Sequence, residues 1–252
     1  MGQRATGGPK RVKAEAYVHA ELDASGRTIL RTLRSAAPIT LLPRRRPESG
    51  AAVVHLVGSG AAPLGGDDLT VTVRVGPGAR LRIRGVAASV ALPGQHAGCS
   101  RTRLRLQVEA GGELDYQPEP TVVTARAHHQ AEVVADLAGD ARLRLADTVV
   151  LGRAGEASGR LDTSLRVRRD GQPMLHQEIA LGDPVLDASV AVVAGRRVLV
   201  TEFRCGENDP VEAVSGDWWS LVPLAAGGSL LTVLAPDAIT AARCANEARQ
   251  ST

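Results

Sequence analysis

The sequence predicts a mainly β protein: stacked hairpins forming an elongated β-sandwich or superhelical β fold, with a small helical C-terminal portion. Runs that alternate strictly between apolar and polar residues recur along the chain. Turns rich in glycine and proline separate them, 27 Gly and 14 Pro in 252 residues, and strand-turn-strand units return about every 30 positions. Two Trp, two Tyr and one Phe are the only aromatics, so Val, Leu, Ala and Ile must supply the core.

The first alternating run places Ala14, Ala16, Val18, Ala20 and Leu22 on one face and ends in a turn at Asp23 to Gly26. Leu69, Val71, Val73 and Val75 form the next clear face. Gly76-Pro77-Gly78 then turns the chain into Arg80-Leu-Arg-Ile-Arg84, which reads as a hairpin with arginines on its wet side. The unit repeats as Leu106 to Val108, Gly111-Gly112 and Leu114 to Tyr116, and more loosely around Gly139 to Leu145. Another hairpin runs from Ser164 to Glu178 around Asp170-Gly171, and strands are expected at Val190 to Val193 and Val198 to Glu202. Asp237 can cap a helix over Ala238 to Arg249, an alanine-rich segment. The whole chain, 1–252, reads as a single domain with flexible, exposed segments at 1–12 and about 44–50, the latter carrying Arg44-Arg45-Arg46-Pro47.

With 44% apolar and 23% charged residues, the chain has ample material for one core. No apolar run approaches the roughly 18 residues of a membrane span, and the basic Met1 to Lys13 segment precedes no apolar stretch. The expectation is a soluble cytoplasmic protein. Cys99, Cys205 and Cys244 are odd in number and widely spaced, which fits neither a disulfide framework nor a zinc knuckle. Lys10 and Lys13 are the only lysines, and neither sits in a phosphate-cradling Gly-x-x-x-x-Gly-Lys loop. Gly-x-Ser-x-Gly, His-Glu-x-x-His and Gly-x-Gly-x-x-Gly motifs are also missing, so the commonest enzyme signatures are absent.

A collinear series of short motifs resembles the UreD (UreH) family of urease accessory proteins. It comprises Ala37-Pro-Ile-Thr-Leu-Leu-Pro43, Gly65-Gly-Asp-Asp-Leu69, Val75-Gly-Pro-Gly-Ala79, Leu114-Asp-Tyr-Gln-Pro118, Asp147 to Glu156 and the segment from Ser229. The stretch Ala87 to Pro93 departs from the Lys-x-Tyr-Arg run that this family usually carries, and Arg84-Gly85 stands where it has a Thr-Thr pair. The resemblance implies a scaffold, not an enzyme. Such a scaffold binds UreF directly and the GTPase UreG through it, docks on apo-urease, and assists GTP-dependent nickel insertion. It also implies that no cofactor is stably bound and that nickel(II) passes transiently through a polar channel.

Projected by motif, the channel lining would include Asp67, Ser89, Asp147 and Glu156. A nickel ion crossing a protein needs a polar lining of oxygen, imidazole or thiolate groups that bind weakly enough to let it go. Other readings of the same residues stand beside this one. Asp67 and Asp68 follow Gly-Gly and suit a turn, while Asp147 and Glu156 flank Arg153 and suit ion pairing. His96-x-x-Cys99 is a weak candidate for transient metal contact; the adjacent His128 and His129 point to opposite faces of a strand and cannot share an ion there. Trp218, Trp219, Arg80, Arg82 and Arg103 are candidates for a partner interface. Two alternative functions remain: a hydrolase pairing Asp67 or Asp68 with Glu156, and a nucleic-acid binder using the arginine-rich faces at 80–84 and 101–105.

Overall fold

The computed structural model describes residues 11–95, 98–206 and 209–251. The expectation of flexibility at residues 1–10 and the His96 candidate lie outside them. The chain begins with β1 (Lys13–Leu22), β2 (Thr28–Arg34), β3 (Ile39–Pro43) and β4 (Ala52–Gly58). Next come β5 (Asp68–Val75), β6 (Arg80–Gly85), β7 (Ser89–Ala91), β8 (Ser100–Val108), β9 (Glu113–Gln117) and β10 (Thr121–Val123). The longest strands follow: β11 (His128–Leu137), β12 (Arg142–Leu151), β13 (Arg160–Arg169) and β14 (Gln172–Leu181). Helix α1 (Pro184–Asp187) leads to β15 (Val198–Cys205), β16 (Val214–Gly216), β17 (Trp219–Pro223), β18 (Ser229–Ala235) and helix α2 (Ala238–Gln250).

The strands form two facing sheets. One runs β14-β13-β11-β8-β5-β1-β2 and the other β16-β17-β18-β15-β12-β9-β6-β4-β3. β5 and β6 flank Gly76-Pro77-Gly78, yet they lie in opposite sheets and do not pair with each other. β5 pairs in parallel with β1 and β8, and β6 pairs in parallel with β4 and β9. The turn is therefore an arch between layers rather than the hairpin that the sequence suggests, and each coil stacks on the next as in a flattened β-solenoid. A period of two looks the same in either case. Here the inner residues decide, because Leu69, Val71, Val73 and Val75 face Leu81 and Ile83 across one core while Arg80 and Arg82 point out. Equivalent residues of successive coils form rows, Val75 with Val108 and then Leu137, and Ile83 with Tyr116 and then Leu145.

The arches stack as regularly as the strands. Gly78 N donates to Ala110 O at 3.1 Å and Arg142 N to Gly112 O at 2.8 Å. Asp140 and Asp170 each turn a carboxylate onto the preceding arch, accepting from Gly111 N at 2.6 Å and Gly139 N at 2.9 Å. Gly111 and Gly139 have φ of 68° and 52°, a backbone region open mainly to glycine. Antiparallel pairing appears toward the ends of the stack, in β1-β2, β3-β4 and the expected hairpin β13-β14. Residues 44–50 are exposed throughout, and Glu48 pairs there with Arg44 at 3.1 Å and Arg82 at 3.0 Å.

The C-terminal part covers the outer face of the second sheet. Val190 to Val193 is a turn, not the expected strand: Val190 is 90% exposed and only Val193 of the four is buried. The chain winds here because the Asp183 carboxylate accepts from Val185 N and Leu186 N and starts α1 instead. Helix α2 begins as predicted, with Asp237 accepting from Thr240 N at 2.8 Å. Its buried residues Ala241, Cys244, Ala245 and Ala248 recur at helical spacing and pack on Val200, Leu231 and Val233. Glu202, fully buried in the middle of β15, anchors its last turn. It accepts from Arg249 Nη2 at 2.6 Å and from Arg144 through Nε and Nη2 at 3.2 Å each, and also pairs with Arg204.

Candidate functional site: a polar cavity between the sheets

The sandwich interior is two dry cores with a polar layer between them. In β12, Leu143 and Leu145 belong to one core, Val149 and Leu151 to the other, and Asp147 holds the inward position between them. β15 repeats the break, with Phe203 in the first core, Leu199 in the second and Thr201 between, opposite Asp147 in the register. The facing sheet contributes Thr102 and Thr163, which flank Ala131 in one row. Gly85 and Pro118 fall one inward step beyond Ile83 and Tyr116, so no bulky apolar side chain fills this level from β6 or β9.

An elongated cavity of about 190 Å³ follows this layer. That is room for several water molecules at roughly 10–15 Å³ each. Its lining draws on β3 and β4 (Ile39, Leu56), then β5, β8, β11 and β13, and reaches Gln177 of β14 and Thr201 of β15. The space thus runs across the stack, along a direction in which β5 to β14 alone span about 20 Å at ~4.8 Å per strand. Ser89 and Glu119, both exposed, stand on its rim.

Asp147 lies deep between the sheets but keeps accessible surface because it faces the cavity. Burial pushes its carboxyl above the ordinary carboxylate range, against a weaker opposing hydrogen bond from the Thr148 amide. The phenol of Tyr116, also on the wall, is pushed up by burial and then by the charge of Asp147, so it stays protonated. His129 lines the same cavity and is 3% exposed. Burial, followed by the charge of His128, lowers its pKa to about 4, so the imidazole is neutral at physiological pH. A carboxylate, a phenol, a neutral imidazole and several hydroxyls thus line one cavity inside an otherwise apolar sandwich.

Of the four residues projected onto a channel, the geometry brings Ser89 and Asp147 to this cavity and leaves two elsewhere. Asp67 is buried, with its carboxylate accepting from Val12 N at 3.0 Å and Leu64 N at 2.8 Å, which ties the entry of β1 to the turn before β5. Glu156 closes the loop after β12 onto Arg153 at 2.8 Å, and the Arg153 guanidinium and amide hold its carboxyl down to about 2. Asp68 points outward to Arg103. Asp67, Asp68 and Glu156 therefore engage three different sets of partners and are not drawn together as an acid and base pair.

The arginine-rich faces also separate. Arg80, Arg82 and Arg84 lie on the outside of one sheet and Arg101, Arg103 and Arg105 on the outside of the other, so the two sets do not join into one stripe. Arg80 pairs with Glu113 at 3.7 Å, Arg84 with Asp115, and Arg103 with Glu132 at 3.6 Å. The two tryptophans divide as well. Trp219 is core, whereas Trp218 is 46% exposed and stacks under the Arg196 guanidinium, 3.9 Å from its ring centre. Cys99 is half-buried and its thiol donates to Ser100 O at 3.2 Å. Among the described residues no group of three or more His, Cys, Asp or Glu side chains is arranged to hold a metal ion, and no helix is long and apolar enough to cross a membrane.

Tyr116, His129, Thr163 and Thr201 escape sequence reasoning as site residues. The available signal is a polar residue at an inward position of an alternating run, as in Leu143-x-Leu145-x-Asp147-x-Val149, and it becomes legible once the register is known.

Fold and site together define a β-solenoid-like sandwich with a cavity between its sheets into which a few polar side chains project. Comparison with known proteins gives the class a family. The family model described as UreD urease accessory protein matches residues 13–251. "Urease accessory protein UreD 1" of Saccharopolyspora erythraea is 50% identical over 240 residues, covering 94% of each chain. The Parafrankia protein "Urease accessory protein UreD" is 43% identical over 92% of this chain and 86% of its own length. A Streptomyces avermitilis protein of the same name is 39% identical over 95% and 97%. The chain belongs to the UreD family of urease accessory proteins.

Proposed function

We propose that this protein serves urease maturation as a non-catalytic scaffold, and that the cavity at Asp147 passes nickel(II) toward the urease active site. The observation that carries the reading is Asp147 itself, a carboxylate set at an inward position between two dry cores. An ionised carboxylate in such a place costs several kcal/mol unless it is hydrated or given a cation. A hydrated path for a divalent ion supplies both. Oxygen donors such as Asp147 and Ser89 hold nickel weakly enough to release it.

In this reading the chain binds UreF directly and the GTPase UreG through UreF, and docks the assembly on apo-urease in the cytoplasm. UreG supplies the nucleotide chemistry, consistent with the absence of a phosphate-binding loop here. Trp218 with its stacked Arg196 offers an exposed anchor for a protein partner, of the aromatic and arginine type that dominates binding energy at interfaces. Co-expression with UreF, UreG and the urease subunits, followed by affinity capture on this chain, tests the scaffold role. Retention of UreF and urease subunits is expected. A folded chain that captures neither overturns it.

A further inference from the structure

We infer that His129 gives the cavity an imidazole nitrogen that selects borderline divalent cations, nickel(II) among them, over hard ones such as magnesium. This rests on the cargo reading above and adds a selecting donor to it.

The argument starts from one hydroxyl proton. Ser100 is 1% exposed, and its Oγ lies 3.3 Å from His128 O and 2.9 Å from His129 Nδ1. A serine hydroxyl has a single proton to donate. Either Oγ gives that proton to Nδ1 at 2.9 Å, or it gives it to the His128 carbonyl at 3.3 Å and accepts from Nδ1–H; the proposed site takes the second arrangement, the Nδ1–H tautomer. Nε2 then carries a bare lone pair. The ring lines the cavity that also holds Asp147. A ring fixed through one nitrogen by an outer hydrogen bond, with the other nitrogen bare, is the arrangement by which proteins orient metal-binding histidines.

Selectivity follows from the donor types. Carboxylate, hydroxyl and water oxygens suit magnesium at least as well as nickel, whereas imidazole favours nickel, zinc and their neighbours. A path lined by Asp147 and Ser89 alone would fill with magnesium. One imidazole tips the preference, and the lack of a three-ligand group among the described residues keeps the hold weak enough for release.

The test uses the full chain, labelled with ¹⁵N at histidine, and nickel chloride as the probe. Long-range ¹H–¹⁵N spectra at pH 7 should show His129 as the Nδ1–H tautomer. Substoichiometric nickel should broaden its ring signals, while millimolar magnesium should not. His129→Gln should remove the preference for nickel over magnesium, and Ser100→Ala should weaken nickel binding about tenfold by freeing the ring. An Nε2–H tautomer, a ring indifferent to nickel, or an unchanged nickel preference in folded His129→Gln each overturns the inference. If His129→Gln does not fold, the wild-type spectra and Ser100→Ala decide. The two readings fail separately. Urease loading that survives Asp147→Ala removes the cargo role but leaves the selective site standing, whereas lost loading with a nickel-silent His129 removes only the selecting donor.

Discussion

Asp147 of β12 and Thr201 of β15 are register partners, and both turn into the sandwich between the residues that their strands give to the two cores. That pairing puts a carboxylate where its ionisation opposes folding. The folded carboxyl titrates above its ordinary value of 3.8, so the unfolded chain loses the proton first as pH rises. Stability contributed by this group therefore falls above about pH 3.8, and the whole penalty is present once pH exceeds the folded value. Asp147→Asn should stabilise the protein at pH 7 and do little at pH 4, as read by urea unfolding at both. A gain over wild type no larger at pH 7 than at pH 4 contradicts the placement.

His129 contributes in the opposite direction. Its pKa falls from 6.5 to about 4 on folding, so the unfolded chain takes the proton first as pH drops. Its contribution is intact above 6.5 and is lost progressively down to about 4, amounting to about 3 kcal/mol across that window. Unfolding of wild type and His129→Gln between pH 7 and 4 should show a gap that narrows by about that amount. A parallel pH dependence in the two proteins contradicts it.

Glu202 holds three arginines from β12, β15 and α2. Burial pushes its carboxyl up, but the hydrogen bonds from Arg249 and Arg144, with the charges of Arg144 and Arg204, outweigh this, and the net direction is down. Glu202→Ala leaves half-buried guanidinium groups without their shared carboxylate and should cost about 3–5 kcal/mol, the loss expected on breaking a buried pair from one side. Hydrogen exchange should then show early opening of α2. Unchanged protection there means that apolar packing alone holds the helix.

Asp67 and Glu156 provide controls for the cavity. Asp67→Ala strips the acceptor from two backbone amides and should lower stability by about 2 kcal/mol, read by thermal unfolding. Glu156→Ala should leave nickel loading of urease at the wild-type level, because the side chain faces Arg153 outside the cavity. Reduced loading in folded Glu156→Ala would extend the passage beyond the space described above.

Much of the fold is legible in the sequence because solenoid coils repeat their inward residues. Val75, Val108 and Leu137 stand in one row, and the glycine turns at Gly76 to Gly78, Gly111-Gly112 and Gly139 mark the arches. The pairing partners are not legible, since alternation at Leu69 to Ile83 fits a hairpin as well as an arch. The strand expected at Val190 to Val193 fails because the Asp183 cap, seven positions upstream, had already turned the chain into α1. Of the site, Asp147 and Ser89 are visible through family motifs. Tyr116, His129 and Thr201 come from three distant strands, and only the register of both sheets brings them together.

The central claim, that nickel reaches urease through the cavity at Asp147, is tested most directly by the nickel content of purified urease matured in cells carrying Asp147→Ala. The account predicts markedly fewer nickel ions per urease active site than with the wild-type chain, while UreF and urease subunits are captured in equal amount. Wild-type nickel content, with the variant folded and assembled, would contradict it.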